Sequence, residues 1–351
     1  MRIVVTGGGS AGHVMPALAV ADVLTTRGAE VSFIGSRSGL EERLVEPARL
    51  PYYGIAAGKL RRYLSLENLT DVFRVVLGIW QAWRLLGRLR PDAVFSKGGY
   101  VALPVVVAAW LRRVPVVAHE SDFTPGLANR LTLPMIRALA VSFAQTEVPN
   151  FSGALVHTGS PIRRALLEGE AEAGLARLGL DRSRPVLLVV GGSLGAESLN
   201  RVVAEGLRAL LDHWQVVHVH GEVETPPDPQ PGYVPLPFVA EGWGDVLAAA
   251  DLVVSRAGAN ALFELLALGK LNLLVPLPAT ASRGDQIENA AYAAAEGFST
   301  VVRDGELSGE RLLAATLELW ERRAEVHNQL RRFEAPDAVT RIADLVTAQI
   351  S

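Results

Sequence analysis

Short, nearly uncharged runs rich in Val, Ile and Leu alternate with longer amphipathic stretches through most of the chain. In the first half, Arg2–Thr6, 30–34, 93–96, 114–118, 139–142 and 155–158 read as strands; in the second half, 185–190, 216–220, 234–238, 252–255, 271–276 and 299–302 do. Runs this short and this apolar suit strands buried on both faces of a parallel sheet. The stretches between them carry helical spacing: 16–27, a long one from 65 to about 90, 196–211, 244–250, 261–268, 285–296, 308–333 and 338–350. Strand and helix in strict alternation predict an α/β fold.

The opening pattern occurs twice. Arg2–Thr6 runs into Gly7-Gly8-Gly9-Ser10-Ala11-Gly12-His13 and a helix, and Pro185–Val190 runs into Gly191-Gly192-Ser193-Leu194-Gly195 and a helix, about 184 residues later. Two such starts predict two doubly wound, Rossmann-like lobes whose ligand edges face a central cleft. With Gly159–Arg163 as hinge, the expected division is 1–160 and 161–336. The last helix, about 337–351, follows Pro336 and is expected to cross back to the first lobe.

Polar groups gather at the ends of these elements. Between Leu252 and Asn289 the expected order is strand, a turn at Ala257–Asn260, helix, strand, loop, helix. Glu264 lies one turn into the first helix, and Gln286 and Asn289 lie three apart on the second, so they share a face. A carboxylate and an amide pair beside a helix N-terminus suit a ligand with hydroxyls and a phosphate. Caps and solvated faces are the plainer alternative, stronger for each residue alone than for the cluster. In the first half, His13 stands at the mouth of a glycine loop, and His119-Glu120-Ser121-Asp122 at the end of a strand, where open α/β sheets bind ligands. Gly7, Gly9 and Gly12 satisfy G-x-G-x-x-G, a weak signal alone. The next strand ends in Gly35-Ser36-Arg37-Ser38, with no carboxylate for a dinucleotide ribose. His119 and Glu120 have no further ligand at metal-binding spacing, so no metal site is expected.

Composition narrows the classes. The net charge is −3, which gives nucleic-acid binding no support. The absence of cysteine excludes disulfides, thiolate metal sites and cysteine nucleophiles. The chain opens directly on a strand, without a signal-like segment, and its longest uncharged apolar run, 101–111, is far short of the ~20 residues of a membrane span. The segment 60–90 differs from the rest: Leu66, Leu69, Val72, Phe73, Val76, Leu77, Trp80 and Trp83 make a stripe wider than one buried face needs, flanked by Arg74, Arg84, Arg88 and Arg90. Such a stripe, with Trp110–Arg113 beside it, suits a membrane interface; an ordinary core helix with a basic outer side is the alternative.

Seven segments in order, Gly7–Pro16, Gly98–Tyr100, His119–Arg130, Gly159–Arg163, Gly191–Ala196, Arg256–Glu264 and Gly284–Ala290, resemble the MurG family of bacterial peptidoglycan GlcNAc transferases, within the two-lobed GT-B superfamily. The resemblance implies an inverting transfer of GlcNAc from UDP-GlcNAc to the MurNAc C4 hydroxyl of lipid I, giving lipid II, with no cofactor or metal, at the inner face of the cytoplasmic membrane. It puts the donor on the second lobe: Glu264 on the ribose, Ser193 and the Ala259-Asn260-Ala261 turn at the diphosphate, the Val239 backbone at the uracil, Arg163 on the nucleotide sugar, Gln286 and Asn289 on the GlcNAc hydroxyls. Ser10, Ala11 and Gly12 would reach the donor from the acceptor side. His13 is the candidate general base, with Glu120 also open, and Tyr100, Asp122 and Asn129 would line the acceptor site. The chain departs from the family pattern at Ser10-Ala11, Ala257, Gly284-Asp285 and Asp122, where many members carry Asn; a carboxylate there need not keep an amide's partner.

Three other readings remain open on the residues alone. Another GT-B enzyme, on a glycolipid or natural product or as a UDP-GlcNAc epimerase, would differ in acceptor. An NADP-dependent oxidoreductase would use Gly7–Gly12 and Arg37 and leave the second glycine loop idle. A sugar-nucleotide-binding protein would bind the donor without transfer.

Overall fold

The computed structural model describes residues 1–37, 39–58, 66–192, 196–224, 227–239 and 241–350, with the backbone alone for 66–70. The chain forms two compact units: Met1–Arg163 with Pro336–Ser351, and Arg164–Ala335.

The first unit is built on seven strands: β1 (Arg2–Thr6), β2 (Glu30–Ser36), β3 (Tyr52–Ile55), β4 (Ala93–Ser96), β5 (Val116–Glu120), β6 (Ala138–Val141) and β7 (Ala154–His157). They pair in the order β3-β2-β1-β4-β5-β6-β7, and every pairing is parallel. Alternate residues face opposite layers. Ile3, Val5, Phe95 and Val117 pack on the side of the first helix, whereas Val4, Val94, Val116 and Ala118 pack on the other. The C-terminal helix Ala338–Thr347 joins the first layer through Ile342, Ala343 and Val346, beside Ala17 and Ala21 of the first helix. An Arg27–Asp344 ion pair at 2.7 Å stands at the rim.

The second unit carries β8 (Val186–Val190), β9 (Gln215–Val219), β10 (Tyr233–Leu236), β11 (Leu252–Ser255), β12 (Leu271–Leu274) and β13 (Thr300–Val301), in the order β10-β9-β8-β11-β12-β13, again all parallel. In both sheets the order reverses beside the first strand, between β1 and β4 and between β8 and β11. These are the topological switch points where open sheets bind ligands.

Several boundaries differ from the sequence expectation. The first helix begins at Ala11, not Pro16, with Pro16 inside it. Proline removes one intrahelical donor, but Val14, Ala17, Val20 and Ala21 bury the helix on the sheet across that point. Gly12 and His13 therefore belong to the first helical turn rather than to the loop. β5 runs on to Glu120, so His119 and Glu120 are the last two residues of a buried strand. β3 was not expected: Gly54 interrupts its apolar run, and it lies at the sheet edge. The helix expected over 308–333 is two, Gly309–Glu321 and Arg323–Leu330, divided where Arg322 leaves helical ψ.

Candidate functional site

In the first unit the site residues lie at the carboxyl ends of β1, β4 and β5. β1 passes into a turn whose Gly9 has φ +89°, and a Cβ there would stand 2.6 Å from the Tyr100 ring, so only glycine fits. The Gly9 N–H donates to Glu41 Oε1 at 2.7 Å, and the Ser36 hydroxyl donates to Glu41 Oε2 at 2.7 Å. Glu41 is fully buried. Its carboxylate occupies the amide that a phosphate would seek in a glycine loop. Sequence reading missed Glu41 because it looked for an acid at the end of β2; the acid opens the short helix Glu41–Val45 instead.

Ser10 is exposed at the cap of the first helix, and Ala11, Gly12 and His13 form its half-buried first turn. His13 keeps Nδ1 buried with no hydrogen-bond partner. Burial, and then the Lys97 charge, lower its pKa to about 4, against an opposing pull from Asp122. The imidazole is neutral at pH 7 and able to accept a proton. Lys97 follows β4 and is buried, its ammonium donating to the Ser121 hydroxyl. Burial lowers its pKa to about 8, while Glu120 and Asp122 hold it up. No role had been given to Lys97 from sequence; a lysine directly after an uncharged strand was the available signal.

Glu120 and Asn129 turn inward. The Glu120 carboxylate accepts from the Asp122 N–H at 3.0 Å, the Gly126 N–H at 2.8 Å and Asn129 Nδ2 at 2.8 Å. Burial, then Asp122, push its pKa up against those three bonds. Asn129 also donates to the His119 carbonyl, and His119 Nε2 pairs with the Gly159 carbonyl at 3.0 Å. Glu120 and Asn129 thus tie the 121–126 loop and the helix Leu127–Thr132 to the end of β5. Tyr100 and Asp122 are half-buried; burial, then Glu41, raise the Tyr100 pKa. Arg163 is half-buried at the end of this unit.

In the second unit, β11 leads through Gly258 into the helix Ala259–Ala267, which has no acidic residue in its first turn. Ala259, Asn260 and Ala261 are that first turn, not a loop before it. The helix dipole is positive at this end. Glu264 follows, half-buried. The helix Asp285–Ala295 carries both expected amides, but they differ in exposure. Gln286 is half-buried, with Oε1 accepting from the Leu277 N–H at 3.0 Å. Asn289 is fully buried and donates to the Ala257 carbonyl at 3.1 Å, tying this helix to the turn before Ala259. Val239 is half-buried in the loop after β10, and Ser193 lies outside the described residues.

Beneath this site runs a network to which sequence reading assigned no role. The Arg256 guanidinium donates to the Val275 carbonyl at 3.1 Å, Asp304 Oδ1 at 2.6 Å and Ser198 Oγ at 2.7 Å. It joins the ends of β11 and β12 to the start of the helix Glu197–Leu211. Asn200 of that helix takes His218 Nε2 on Oδ1 at 3.0 Å and gives Nδ2 to the His220 carbonyl at 2.9 Å. Among the described residues, no cluster of three or more His, Asp and Glu could hold a metal ion.

The helix Leu66–Leu89 buries Ala82 and Leu86 and exposes Val72, Phe73, Val76, Leu77, Trp80 and Trp83; Trp110 and Leu111 of the neighbouring helix are exposed too. The Arg84 guanidinium lies 5.0 Å from the Trp80 ring and that of Arg112 4.1 Å from the Trp83 ring. Among the described residues no helix is long and apolar enough to cross a membrane.

Residues 3–141 match the glycosyltransferase family 28 N-terminal domain, and residues 186–343 match its C-terminal domain. A Legionella pneumophila protein named UDP-N-acetylglucosamine–N-acetylmuramyl-(pentapeptide) pyrophosphoryl-undecaprenol N-acetylglucosamine transferase is 44% identical over 99% of this chain and 96% of its own length. A Lachnospira eligens protein of the same name is 46% identical over 98% of each. Among solved structures, Acinetobacter baumannii MurG is similar with a TM-score of 0.76 and 27% identity, covering 99% of both chains. A UDP-GlcNAc 2-epimerase from Neisseria meningitidis, at 13% identity and TM-score 0.65, shares the fold alone.

Proposed function

This chain belongs to glycosyltransferase family 28, and we infer that it is the enzyme its relatives are named for, a UDP-GlcNAc-dependent N-acetylglucosaminyltransferase of peptidoglycan synthesis. It moves GlcNAc from UDP-GlcNAc to lipid I, forming lipid II. The observation that carries this is identity of 44% spread over 99% of the chain, through both units, to a protein of that activity.

The geometry supports a division of labour. The leaving group is a diphosphate, and the Ala259–Ala267 helix N-terminus, with Ser193, receives it as its charge develops. Glu264 accepts from the ribose hydroxyls, the Val239 backbone meets the uracil, and Arg163 adds positive charge. Gln286 faces the GlcNAc hydroxyls, and Asn289 serves the donor by fixing the Ala257 turn. Charge stabilisation by amides and Arg needs no metal or cofactor.

On the acceptor side, Ser10, Ala11 and Gly12 form a rim at the start of the first helix, and Tyr100 and Asp122 line the same side. His13 takes the proton of the MurNAc C4 hydroxyl as that oxygen attacks the anomeric carbon. The bond to UDP breaks on the opposite face, so the centre inverts. A neutral imidazole suits this base, whereas the Glu120 oxygens are committed to three N–H donors. Glu120 and Asn129 keep the 121–126 loop in shape. The exposed aromatic face of the 66–89 helix, with Trp110 and Leu111, docks on the membrane that holds the acceptor's lipid tail.

The test is transfer of labelled GlcNAc from UDP-GlcNAc to a lipid I analogue, with UDP-glucose and a C4-blocked acceptor as controls. Transfer that requires the free C4 hydroxyl is expected. Donor binding without transfer would leave only a sugar-nucleotide-binding protein.

A further inference from the structure

β8 and β11 lie side by side at the switch point of the second sheet, with Val190 paired to Ser255. The glycine run that starts at Gly191 therefore leaves the sheet level with Arg256 and with the turn that opens the Ala259–Ala267 helix. Both turns are open: among the described residues, nothing would stand within 4 Å of a Cβ at Gly192 or at Gly258. A Cβ at Gly9, by contrast, would meet the Tyr100 ring. A diphosphate received by both turns binds best when the two helix starts already stand at the right separation, because groups that must first be ordered give up part of their binding energy.

Three side chains set that separation. Arg256 spans it: Nη2 donates to Ser198 Oγ at 2.7 Å, in the first turn of the helix Glu197–Leu211, and Nη1 donates to the Val275 carbonyl at 3.1 Å. Asp304, just after β13, closes the triangle. Its Oδ1 accepts from Arg256 Nη1 at 2.6 Å and from the Ser198 hydroxyl at 2.7 Å. The Arg256 and Asp304 side chains are only 9% and 20% exposed, so little water competes for these bonds. On its other side the Glu197–Leu211 helix is tied to β9, where Asn200 bonds the His218 ring and the His220 carbonyl. The Arg256 side ties it to the turn of the neighbouring helix, which Asn289 holds in turn through the Ala257 carbonyl.

We propose that Asp304 is a positioning residue for the donor: by holding Arg256 and Ser198 on one oxygen, it fixes the start of the Glu197–Leu211 helix against the turn before Ala259 and so sets the spacing of the groups that receive the diphosphate. The proposal rests on the donor lying on the second unit. The test is UDP affinity by calorimetry, with KM for UDP-GlcNAc and for the lipid I analogue, in wild type, D304A, D304N and E264A, each well below its unfolding temperature. D304A weakens UDP and raises the KM for UDP-GlcNAc about tenfold, while the acceptor KM stays within about twofold. D304N keeps an oxygen for both donors and recovers to within about threefold of wild type. A network that serves stability alone would lower the unfolding temperature of D304A and leave the donor values where they were. That result, an equal rise in both KM values, or no recovery in D304N overturns the proposal. If D304A does not fold, S198A carries the test, since it removes one corner and leaves the Arg256–Asp304 pair; UDP affinity falls about threefold or more, and an unchanged affinity refutes the clamp. Loss of UDP affinity in E264A with none in D304A removes the proposal and keeps the donor reading. No loss in either variant overturns both.

Discussion

Replacing Trp80 and Trp83 together by serine tests the proposed membrane-docking face. The two side chains are 52% and 42% exposed, so water already covers about half of each ring. A tryptophan presents roughly 200 Å² or more, so each ring offers about 100 Å² to an interface. If a little over half of that leaves water on docking, each ring contributes about 1.5 kcal/mol at ~25 cal/mol/Å². The double variant then loses about 3 kcal/mol, roughly a hundredfold in vesicle partitioning. Arg84 and Arg112, which lie over these rings, add an attraction to anionic lipid of about 1 kcal/mol each that fades with salt. The assay is co-sedimentation with phosphatidylglycerol-containing vesicles across a salt series. Thermal unfolding should be nearly unchanged, because the rings are not core, and so should transfer to a short-chain, water-soluble acceptor. Partitioning within threefold of wild type would refute the reasoning, and so would an equal loss of activity on the soluble acceptor.

Asp304→Ala leaves the buried Arg256 guanidinium without its carboxylate and should cost about 3 kcal/mol of stability in chemical denaturation at pH 7; a cost below 1 kcal/mol would make the network incidental. Burial opposes ionisation of Asp304, but hydrogen bonds from Ser198 and Arg256 and the Arg256 charge outweigh it and hold its pKa below the ordinary value. Its contribution is therefore present above the unfolded aspartate value, about 3.9, and is lost as pH falls through the lower folded value. Glu264→Ala should weaken UDP binding in calorimetry, whereas His13→Ala leaves it nearly intact and removes turnover; equal loss of donor affinity in both would dissolve that division. Glu41→Gln can keep an oxygen on the Gly9 N–H and an amide on Ser36, so transfer should stay within about threefold, while Glu41→Ala should lose tenfold or more by freeing the loop; equal rates in the two variants would show that the carboxylate does not hold it.

The fold was legible because strands of a parallel sheet covered on both faces are largely apolar, and eleven of the thirteen strands among the described residues overlap such runs by three residues or more, the exposed edge strand Ala154–His157 among them. β13, only Thr300–Val301, lies wholly inside its run. Tyr52–Ile55 was hidden because its run, Tyr-Tyr-Gly-Ile, is short, half-buried and broken by Gly54. Helix starts were less legible. Proline at 16 looks like a first helical residue, yet tertiary burial carries the helix through it from Ala11. Site residues at strand ends were legible as residue types, but not their direction. Glu120, Asn129 and Asn289 carry the same groups whether they face a ligand or a backbone, and only the folded chain shows all three bonded to backbone or to one another. Arg256 lies 48 residues from Asp304 and 58 from Ser198, and Ser198 and Asp304, which bond as well, lie 106 apart. No local spacing announces such a network.

The two glycine starts show how far a repeat constrains chemistry. Both follow the first strand of a sheet at its switch point and precede a helix, and the physics of the sheet requires no more than that. In the first unit the Gly9 amide is satisfied by Glu41, a carboxylate already inside the loop. A dinucleotide phosphate there would meet a buried negative charge and lose that donor. The oxidoreductase reading, which needs this loop for a pyrophosphate and Arg37 for a 2′-phosphate, fails on that contact; the Arg37 guanidinium itself donates to the Gly54 carbonyl. The anion site proposed for the donor is instead the start of the Ala259–Ala267 helix, which has no acidic residue in its first turn. Duplicated architecture thus supplies two similar sheet edges, and single carboxylates, present at position 41 and absent from the first turn after Gly258, separate the edge that receives the proposed nucleotide from the edge that presents the proposed acceptor.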